Sequence, residues 1–193
     1  MEFKKIQLNG FKSFAEKTNF LIEKGLTGIV GPNGCGKSNI VESLRWCMGE
    51  TSAKSMRGSG MEDVIFSGTS NKPSKNIAEV VLSLNNENKD GPHQYNDLDE
   101  IEIRRKIEKD KGSKFYINDK EVRAKDAQMF FADLSTGAHS PSLISQGRIG
   151  ALVTAKPSDR RAILEEAAGI AGLHVRRHEA EIRLGAAENN LKR

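Results

Sequence analysis

The stretch GPNGCGKSN, residues 31–39, decides the fold that this sequence predicts. It has the form G-x-x-x-x-G-K-S, and it follows the short apolar run LTGIV (26–30). After it, Ile40, Leu44 and Cys47 recur at the spacing of one helix face. A strand, a glycine-rich loop and a helix, in that order, form the setting in which such a loop binds phosphate. We therefore expect a nucleotide-binding α/β domain with a strand at 26–30 and a helix at 38–48.

The residue types within this phosphate loop (31–39) suit phosphate binding. Glycines bring backbone N–H groups close to phosphate oxygens, and the positive end of the following helix points at the same oxygens. Lys37 offers a positive charge to the β- and γ-phosphates, and Ser38 offers a hydroxyl to Mg²⁺. We interpret Cys35 as a backbone N–H donor at a variable position. The glycines of the loop are Gly31, Gly34 and Gly36.

We find no match for the usual second element of such a site, an apolar strand that ends in carboxylates. AILEE (162–166) has helical spacing, and DLDEIEI (97–103) has its carboxylates ahead of its apolar residues. LSTG (134–137) lacks the second glycine of an ABC-type signature and precedes Gln146, so we reject it. Gln146, in ISQGRI (144–149), has an amide oxygen that suits Mg²⁺ or an attacking water.

Length and composition set the broad class. At 193 residues the chain fits one domain, or one domain with an extension. Its net charge of +4 fits an anionic partner and an ordinary solvated surface equally well. No apolar run reaches the roughly 18 residues of a membrane span, and the first residues lack the apolar core of a secretory signal. Two cysteines favour a reducing compartment, so we expect a cytoplasmic protein with no membrane partner.

The remaining segments alternate between strand and helix patterns. Apolar residues predict strands at 2–11 and 19–23, and alternating or β-branched apolar residues predict antiparallel strands at 75–86, 100–107 and 114–122. Helical patterns are expected at 125–134 and from Pro157 onward. Beyond Gly172, two apolar rows interrupted by one arginine recur every seven residues, which favours the start of a coiled coil over an ordinary amphipathic helix. These rows consist of Leu173, Ala180 and Ala187, and of Arg177, Leu184 and Leu191.

Five stretches in one order make the sequence recognisable: GFKSFAEKT (10–18), GPNGCGKSNIVESLRWCMGE (31–50), MRGSGMEDVIFSGT (56–69), ISQGRI (144–149) and RRAILEEAAGI (160–170). Together they resemble the N-terminal ATPase lobe of the structural-maintenance-of-chromosomes family, in particular its bacterial condensin members. The resemblance implies an α/β fold, with mixed or antiparallel sheets around the helix that follows the phosphate loop. It also implies an N-terminal head lobe at 1–171 and the start of a coiled-coil neck at 172–193.

In that family, one long polypeptide supplies an ABC-type ATPase head in two lobes, and the C-terminal lobe carries the signature motif and the acidic strand. Two heads then enclose two ATP molecules. The resemblance therefore implies an ATPase that binds ATP and Mg²⁺ and functions in chromosome condensation and segregation. It also implies that this chain alone does not hydrolyse ATP.

The resemblance assigns roles to individual residues. Catalytic roles fall to Lys37, Arg57 and Gln146, and Mg²⁺ ligation to Ser38 and Gln146. DNA contacts fall to Arg123 and Lys125, whereas Gly60 stands where the family often has a further lysine. The residues expected at ATP are Lys12, Ser13, Pro32, Asn33, Gly34, Cys35, Gly36, Lys37, Ser38, Asn39, Arg57 and Asp63.

The implied partners are the C-terminal lobe of the same polypeptide, a second head in a homodimer, a kleisin subunit at the neck, and double-stranded DNA bound without sequence preference at the nucleoid. The main alternative is a DNA-repair ATPase of the RecN type with a similar split head. A self-contained phosphate-loop kinase or GTPase needs its own carboxylate and base-reading motif, and we see neither. A non-catalytic interaction module is the remaining alternative, and an ATP-binding assay separates it from the ATPase.

Overall fold

The computed structural model describes residues 1–89, 91–134, 143–144, 150 and 153–168, together with positions 177, 180–182, 184–185 and 187; the side chains of 162, 163, 166 and 167 are not included. Gln146 and most of the predicted neck lie outside these residues. The described strands are β1 (Glu2–Asn9), β2 (Thr18–Leu21), β3 (Ile77–Asn85), β4 (Glu100–Glu108), β5 (Gly112–Ile117) and β6 (Lys120–Val122). The described helices are α1 (Lys37–Cys47), α2 (Ala124–Asp133) and α3 (Pro157–Ala167).

The strands of the described part form one sheet in the order β2-β1-β3-β4-β5-β6, and every neighbouring pair is antiparallel. The alternation in the sequence dictates which face is buried. In β4, the side chains of Ile101, Ile103, Arg105 and Ile107 all turn inward, whereas their neighbours are partly exposed. The α/β prediction and the antiparallel pairing are confirmed.

Helix α1 lies across the sheet and places the phosphate loop at its own N-terminus. Cys47, near the other end of the helix, directs its S–H toward the carbonyls of Val80 and Ile103, each 3.6 Å away, and so ties α1 to β3 and β4. Complete burial raises the pKa of this thiol to about 12, so it stays protonated at neutral pH. Cys47 is therefore a packing residue.

The inward-facing Arg105 secures the C-terminal end of α1. Its guanidinium donates to the carbonyls of Trp46 and Glu50 at 2.6 and 2.7 Å. It also lies 4.5 Å from the ring centroid of Trp46 and 4.6 Å from that of Phe115, which are cation–π distances. Burial lowers the pKa of Arg105 to about 10, so the side chain remains charged at neutral pH.

Two strand predictions need correction. Residues 114–122 form a hairpin of β5 and β6, because Asn118 and Asp119 adopt positive φ angles of 46° and 64° and turn the chain. Residues 26–30 form no strand, although their pattern is apolar and β-branched. A strand needs a neighbour for its backbone hydrogen bonds, and none of the described strands lies alongside this segment.

The remaining element predictions agree with the structure within a few residues at each end. Helices α1, α2 and α3 begin at Lys37, Ala124 and Pro157. In the portion of the chain that the structure describes, no helix combines the length and apolar character that crossing a membrane requires. Four residues of the seven-residue rows, Arg177, Ala180, Leu184 and Ala187, are among the described positions, but most of the predicted neck is not, so the coiled coil stays a prediction.

Candidate functional site

The phosphate loop depends on two glycines in left-handed conformations. Gly34 and Gly36 have φ angles of +83° and +92°, which side chains rarely adopt. A Cβ on Gly36 would also lie only 2.7 Å from the hydroxyl oxygen of Ser13. Gly36 is the residue from which α1 departs, so these turns place the loop at the helix N-terminus, where unpaired N–H groups favour an anion.

Lys37 lies folded against its own loop. Its ammonium donates to the carbonyls of Gly31 and Pro32 at 2.6 and 2.5 Å, and Cys35 Sγ is 3.9 Å away. Both carbonyls are neutral acceptors, so these bonds leave the positive charge available to an anion. The hydroxyl of the neighbouring Ser38 is exposed at the first turn of α1, as are Asn33 and the thiol of Cys35 in the loop.

An open cavity of about 580 Å³ adjoins the loop, a size that suits a nucleotide. Polar loop residues contribute to its lining, among them Asn33, Lys37 and Ser38. Apolar residues contribute as well, among them Leu26 and Ile29 from the segment that precedes the loop. A larger cavity of about 1150 Å³ lies between β5, β6 and α2, but it lacks a glycine-rich backbone for phosphates. The chemistry of the lining favours the smaller cavity for a nucleotide.

Arg57 reaches the last residue of the loop from a separate turn of the chain. It follows a short 3₁₀ helix (Lys54–Met56) in a left-handed conformation, with φ at 53°. Its Nη2 donates to Asn39 Oδ1 at 3.0 Å, and its Nε pairs with Glu42 Oε1 at 2.5 Å. The structure thus brings Arg57 beside the loop, although it lies 18 positions after Asn39 in the sequence.

Lys12 and Ser13 come from the turn after β1, and they occupy different places. Ser13 Oγ accepts a bond from Asn39 Nδ2 at 2.9 Å, so it lies directly at the loop. Lys12 is mostly buried, and its ammonium donates to Glu42 Oε2 and to the carbonyl of Met56. Neither partner of Lys12 belongs to the phosphate loop.

Glu42 is a residue that the sequence analysis missed. It lies on α1, five positions after Lys37, and its side chain is only 9% exposed. A charged residue among the buried positions of a helix indicates a paired group, because an unpaired buried charge is costly. The sequence did not show this burial, because Glu42 lies about 200° around the helix from Ile40, the first residue of the predicted apolar face, and it did not identify the partners, Lys12 and Arg57.

Asp63 shapes the turn that follows Arg57. Its Oδ2 accepts bonds from the backbone N–H of Gly60 at 3.0 Å and from the N–H and hydroxyl of Ser59 at 2.6 and 2.8 Å. These bonds, first among them the one from Gly60, hold the pKa of the exposed carboxyl below its ordinary value. All three contacts are within its own turn, and a contact of Asp63 with ATP stays a prediction.

The two expected DNA contacts lie together at the start of α2. Arg123 and Lys125 are both exposed, and the backbone N–H of Arg123 donates to Asp126 Oδ2 at 3.2 Å. Arg123 also lines the larger cavity. Gln146, expected at Mg²⁺, falls outside the described residues. In the part of the chain that is described, no cluster of three His, Cys, Asp or Glu residues could hold a metal ion.

Comparison with known proteins matches this chain to one family model and to similar full-length proteins. The family model for the RecF/RecN/SMC N terminal domain matches residues 2–147. A chromosome partition protein Smc of Rhodopseudomonas palustris is 58% identical over all 193 residues, which make up 17% of that protein. The chain therefore spans about a sixth of the length of this relative.

Solved structures resemble the chain as well. The Smc head domain of Pyrococcus furiosus, with an extended coiled coil and bound to the C-terminal domain of ScpA, is 34% identical with a TM-score of 0.78. That likeness covers 100% of this chain and 48% of the other. A structure from work on ATP-driven dimerization and DNA-stimulated activation of SMC ATPases is 31% identical with a TM-score of 0.74; it covers 86% of this chain and 99% of the other.

Proposed function

This chain belongs to the RecF/RecN/SMC N-terminal domain family, and we propose that it is the ATP-binding half of an Smc-type ATPase head. The identity of 58% to a chromosome partition protein and the likeness to Smc heads support this proposal. They do not favour the RecN-type alternative, because these similar proteins are Smc proteins. The whole protein would be an ATPase that couples ATP-dependent head engagement to DNA binding, chromosome condensation and segregation.

One observation carries the proposal: a complete phosphate loop follows a strand-like segment that has no partner strand among the described residues. Leu26, which lines the cavity that would hold the nucleotide, is 96% exposed, and Val30, directly before the phosphate loop, is 93% exposed. Exposed apolar side chains grouped next to a site are typical of an interface. We infer that the C-terminal lobe of the same polypeptide covers this segment, pairs with it as a strand, and brings the missing carboxylates.

ATP and Mg²⁺ fit the residues that are present. Lys37 and the N-terminus of α1 would hold the phosphates, together with the loop residues from Pro32 to Asn39. Mg²⁺ keeps several waters and binds substrate phosphates, so Ser38 and Gln146 would supply the ligands from this lobe, and the C-terminal lobe would supply the carboxylates. Arg57, beside Asn39, would stabilise negative charge on the phosphates, as an arginine finger does.

The partners follow from the same proposal. We propose a head lobe at 1–171 and a neck at 172–193 that binds a kleisin subunit, and a homodimer in which two heads engage over ATP. Exposed Arg123 and Lys125 would contact DNA phosphates without reading sequence. The site of action would be the nucleoid in the cytoplasm.

Reconstitution tests the proposal. This chain alone should hydrolyse no ATP above background, and mixing it with the C-terminal lobe of the same polypeptide should produce hydrolysis that DNA stimulates. The matched control is Lys37→Ala, which should abolish the activity of the mixture. Robust hydrolysis by the chain alone, lost in Lys37→Ala, would reveal a complete active site in this lobe and refute the split head.

A further inference from the structure

We propose that Glu42 is a positioning residue that holds Arg57 at the phosphate loop, while Lys12 keeps the same carboxylate paired. The inference rests on the proposed function for the role of Arg57 in hydrolysis. The contacts themselves rest only on the described geometry. Glu42 acts through another side chain and is not expected to touch the nucleotide.

The carboxylate of Glu42 is divided between two cations. Oε1 pairs with Arg57 Nε at 2.5 Å, and Oε2 pairs with the ammonium of Lys12. The three side chains come from three separate elements, namely α1, the turn after β1 and the turn after the 3₁₀ helix (Lys54–Met56). A single carboxylate therefore joins both turns to the helix that begins in the phosphate loop.

The contacts close into a ring that includes the loop. Arg57 Nη2 donates to Asn39 Oδ1, and Asn39 Nδ2 donates to Ser13 Oγ. Ser13 is bonded to Lys12 along the chain, and Lys12 returns to Glu42. The planar guanidinium of Arg57 is thus fixed at two of its nitrogens, which sets its direction as well as its position.

Without Glu42, Arg57 would lose the more buried of its two contacts and keep only the hydrogen bond to Asn39. The side chain of Arg57 is 59% exposed, whereas that of Glu42 is 9% exposed. A long, largely solvated side chain with one remaining hydrogen bond samples many rotamers, so its guanidinium would seldom lie at the loop. The expected consequence is slower hydrolysis at saturating ATP, with little change in ATP affinity.

Lys12 explains why the buried carboxylate tolerates movement of the arginine. Breaking a buried ion pair usually leaves an uncompensated charge, which is strongly destabilising. Here Lys12 stays on the other oxygen and also donates to the carbonyl of Met56, the residue just before Arg57. The buried carboxylate therefore stays paired when Arg57 shifts slightly within its contact to reach a bound phosphate.

A spectroscopic test examines the contact in this chain, independently of any ATPase activity. The ¹⁵Nε–¹Hε signal of Arg57, assigned by its loss in Arg57→Ala, should exchange slowly with solvent. In Glu42→Gln its exchange should rise about tenfold or more, because the ion pair that holds this end of the guanidinium against the buried carboxylate is lost. The matched control is Glu100→Gln, an exposed carboxylate that pairs with Lys4 and should leave the signal unchanged. Unchanged exchange in Glu42→Gln would overturn the proposal.

Thermal unfolding tests the shared carboxylate with variants that leave Glu42 in place. Arg57→Ala should lower the midpoint by no more than about 3 °C, since Lys12 still pairs Glu42. Combining it with Lys12→Ala should lower the midpoint by about 6 °C or more beyond the sum of the single changes, because the carboxylate is then unpaired. Additive shifts would contradict a carboxylate shared by the two cations.

Kinetic measurements on the reconstituted head distinguish a role of Glu42 in positioning Arg57 from a general loss of structure. Glu42→Gln should lower the DNA-stimulated kcat and leave KM for ATP nearly unchanged, and on an Arg57→Ala background it should cause no further loss. Equal losses on both backgrounds would mean that Glu42 does not act through Arg57. If the unmodified mixture shows no hydrolysis that depends on Lys37, the proposed function fails, while the spectroscopic and thermal results still decide the contact.

Discussion

Replacing Leu26 and Val30 together with serine should separate the two lobes without unfolding this one. Both side chains are almost fully exposed here, at 96% and 93%, so the double change should alter the free energy of unfolding of the chain by no more than about 0.5 kcal/mol. In the proposed head, both side chains are covered by the C-terminal lobe. Complete burial of a leucine or valine side chain stabilises an association by about 1.5–3 kcal/mol, so the pair contributes about 3–6 kcal/mol.

At about 1.4 kcal/mol for each tenfold change, that contribution corresponds to a dissociation constant raised about 100-fold to 10,000-fold. Titration calorimetry with the purified C-terminal lobe measures the affinity, and urea unfolding of the isolated chain checks its stability. The matched control is Leu98→Ser, which alters another exposed apolar side chain (41%), in the connection between β3 and β4. An unchanged dissociation constant for the double variant, with the chain still folded, would show that the segment is no interface.

Three further changes test other parts of the structure. Gly36→Ala should abolish ATP binding measured by calorimetry, because it places a Cβ 2.7 Å from Ser13 Oγ at a φ of +92° and distorts the loop. Arg105→Met should lower the free energy of unfolding in urea by about 3–5 kcal/mol, because two carbonyls at the end of α1 lose their charged donor. Arg123→Glu with Lys125→Glu should weaken DNA binding by engaged heads, with the slope of log affinity against log salt reduced by about 2.

Each of these changes has an outcome that contradicts its reasoning. ATP affinity retained in Gly36→Ala would mean that the loop tolerates a side chain at this turn. Arg105→Met as stable as the parent chain would mean that apolar packing replaces the guanidinium without cost. DNA affinity and salt slope equal to those of the parent would exclude Arg123 and Lys125 from the contact, and Lys120→Glu, at a neighbouring exposed position, is the control for nonspecific charge effects.

Elements with a strong local pattern could be predicted from the sequence. The strict alternation of β4 and the apolar face of α1 depend on side chains a few residues apart, and both elements are confirmed. The hairpin at 114–122 also had a local signal, since adjacent asparagine and aspartate favour the positive φ angles of a tight turn. The turn was not predicted, so residues 114–122 were expected to form one strand instead of β5 and β6.

The segment 26–30 shows where local pattern is insufficient. Its β-branched, apolar residues have the character of a strand, but hydrogen bonds to a neighbouring strand are what create one. The described part of the chain offers no such neighbour, so the segment forms no strand and stays exposed. This unpaired, exposed segment is the feature that carries the proposed function.

The phosphate loop could be predicted from the sequence because its functional groups lie in nine consecutive residues. Left-handed glycines, a lysine and a helix N-terminus follow from bonds along one short piece of chain, whatever surrounds it. The cluster around Glu42 is different, because ion pairs join residues that lie 30 and 15 positions apart, and no short window holds them. The turn after β1 and the turn before the second 3₁₀ helix (Met61–Val64) pack against α1. This packing determines which charged side chains form ion pairs and which apolar surface stays exposed. Only the tertiary structure determines the packing.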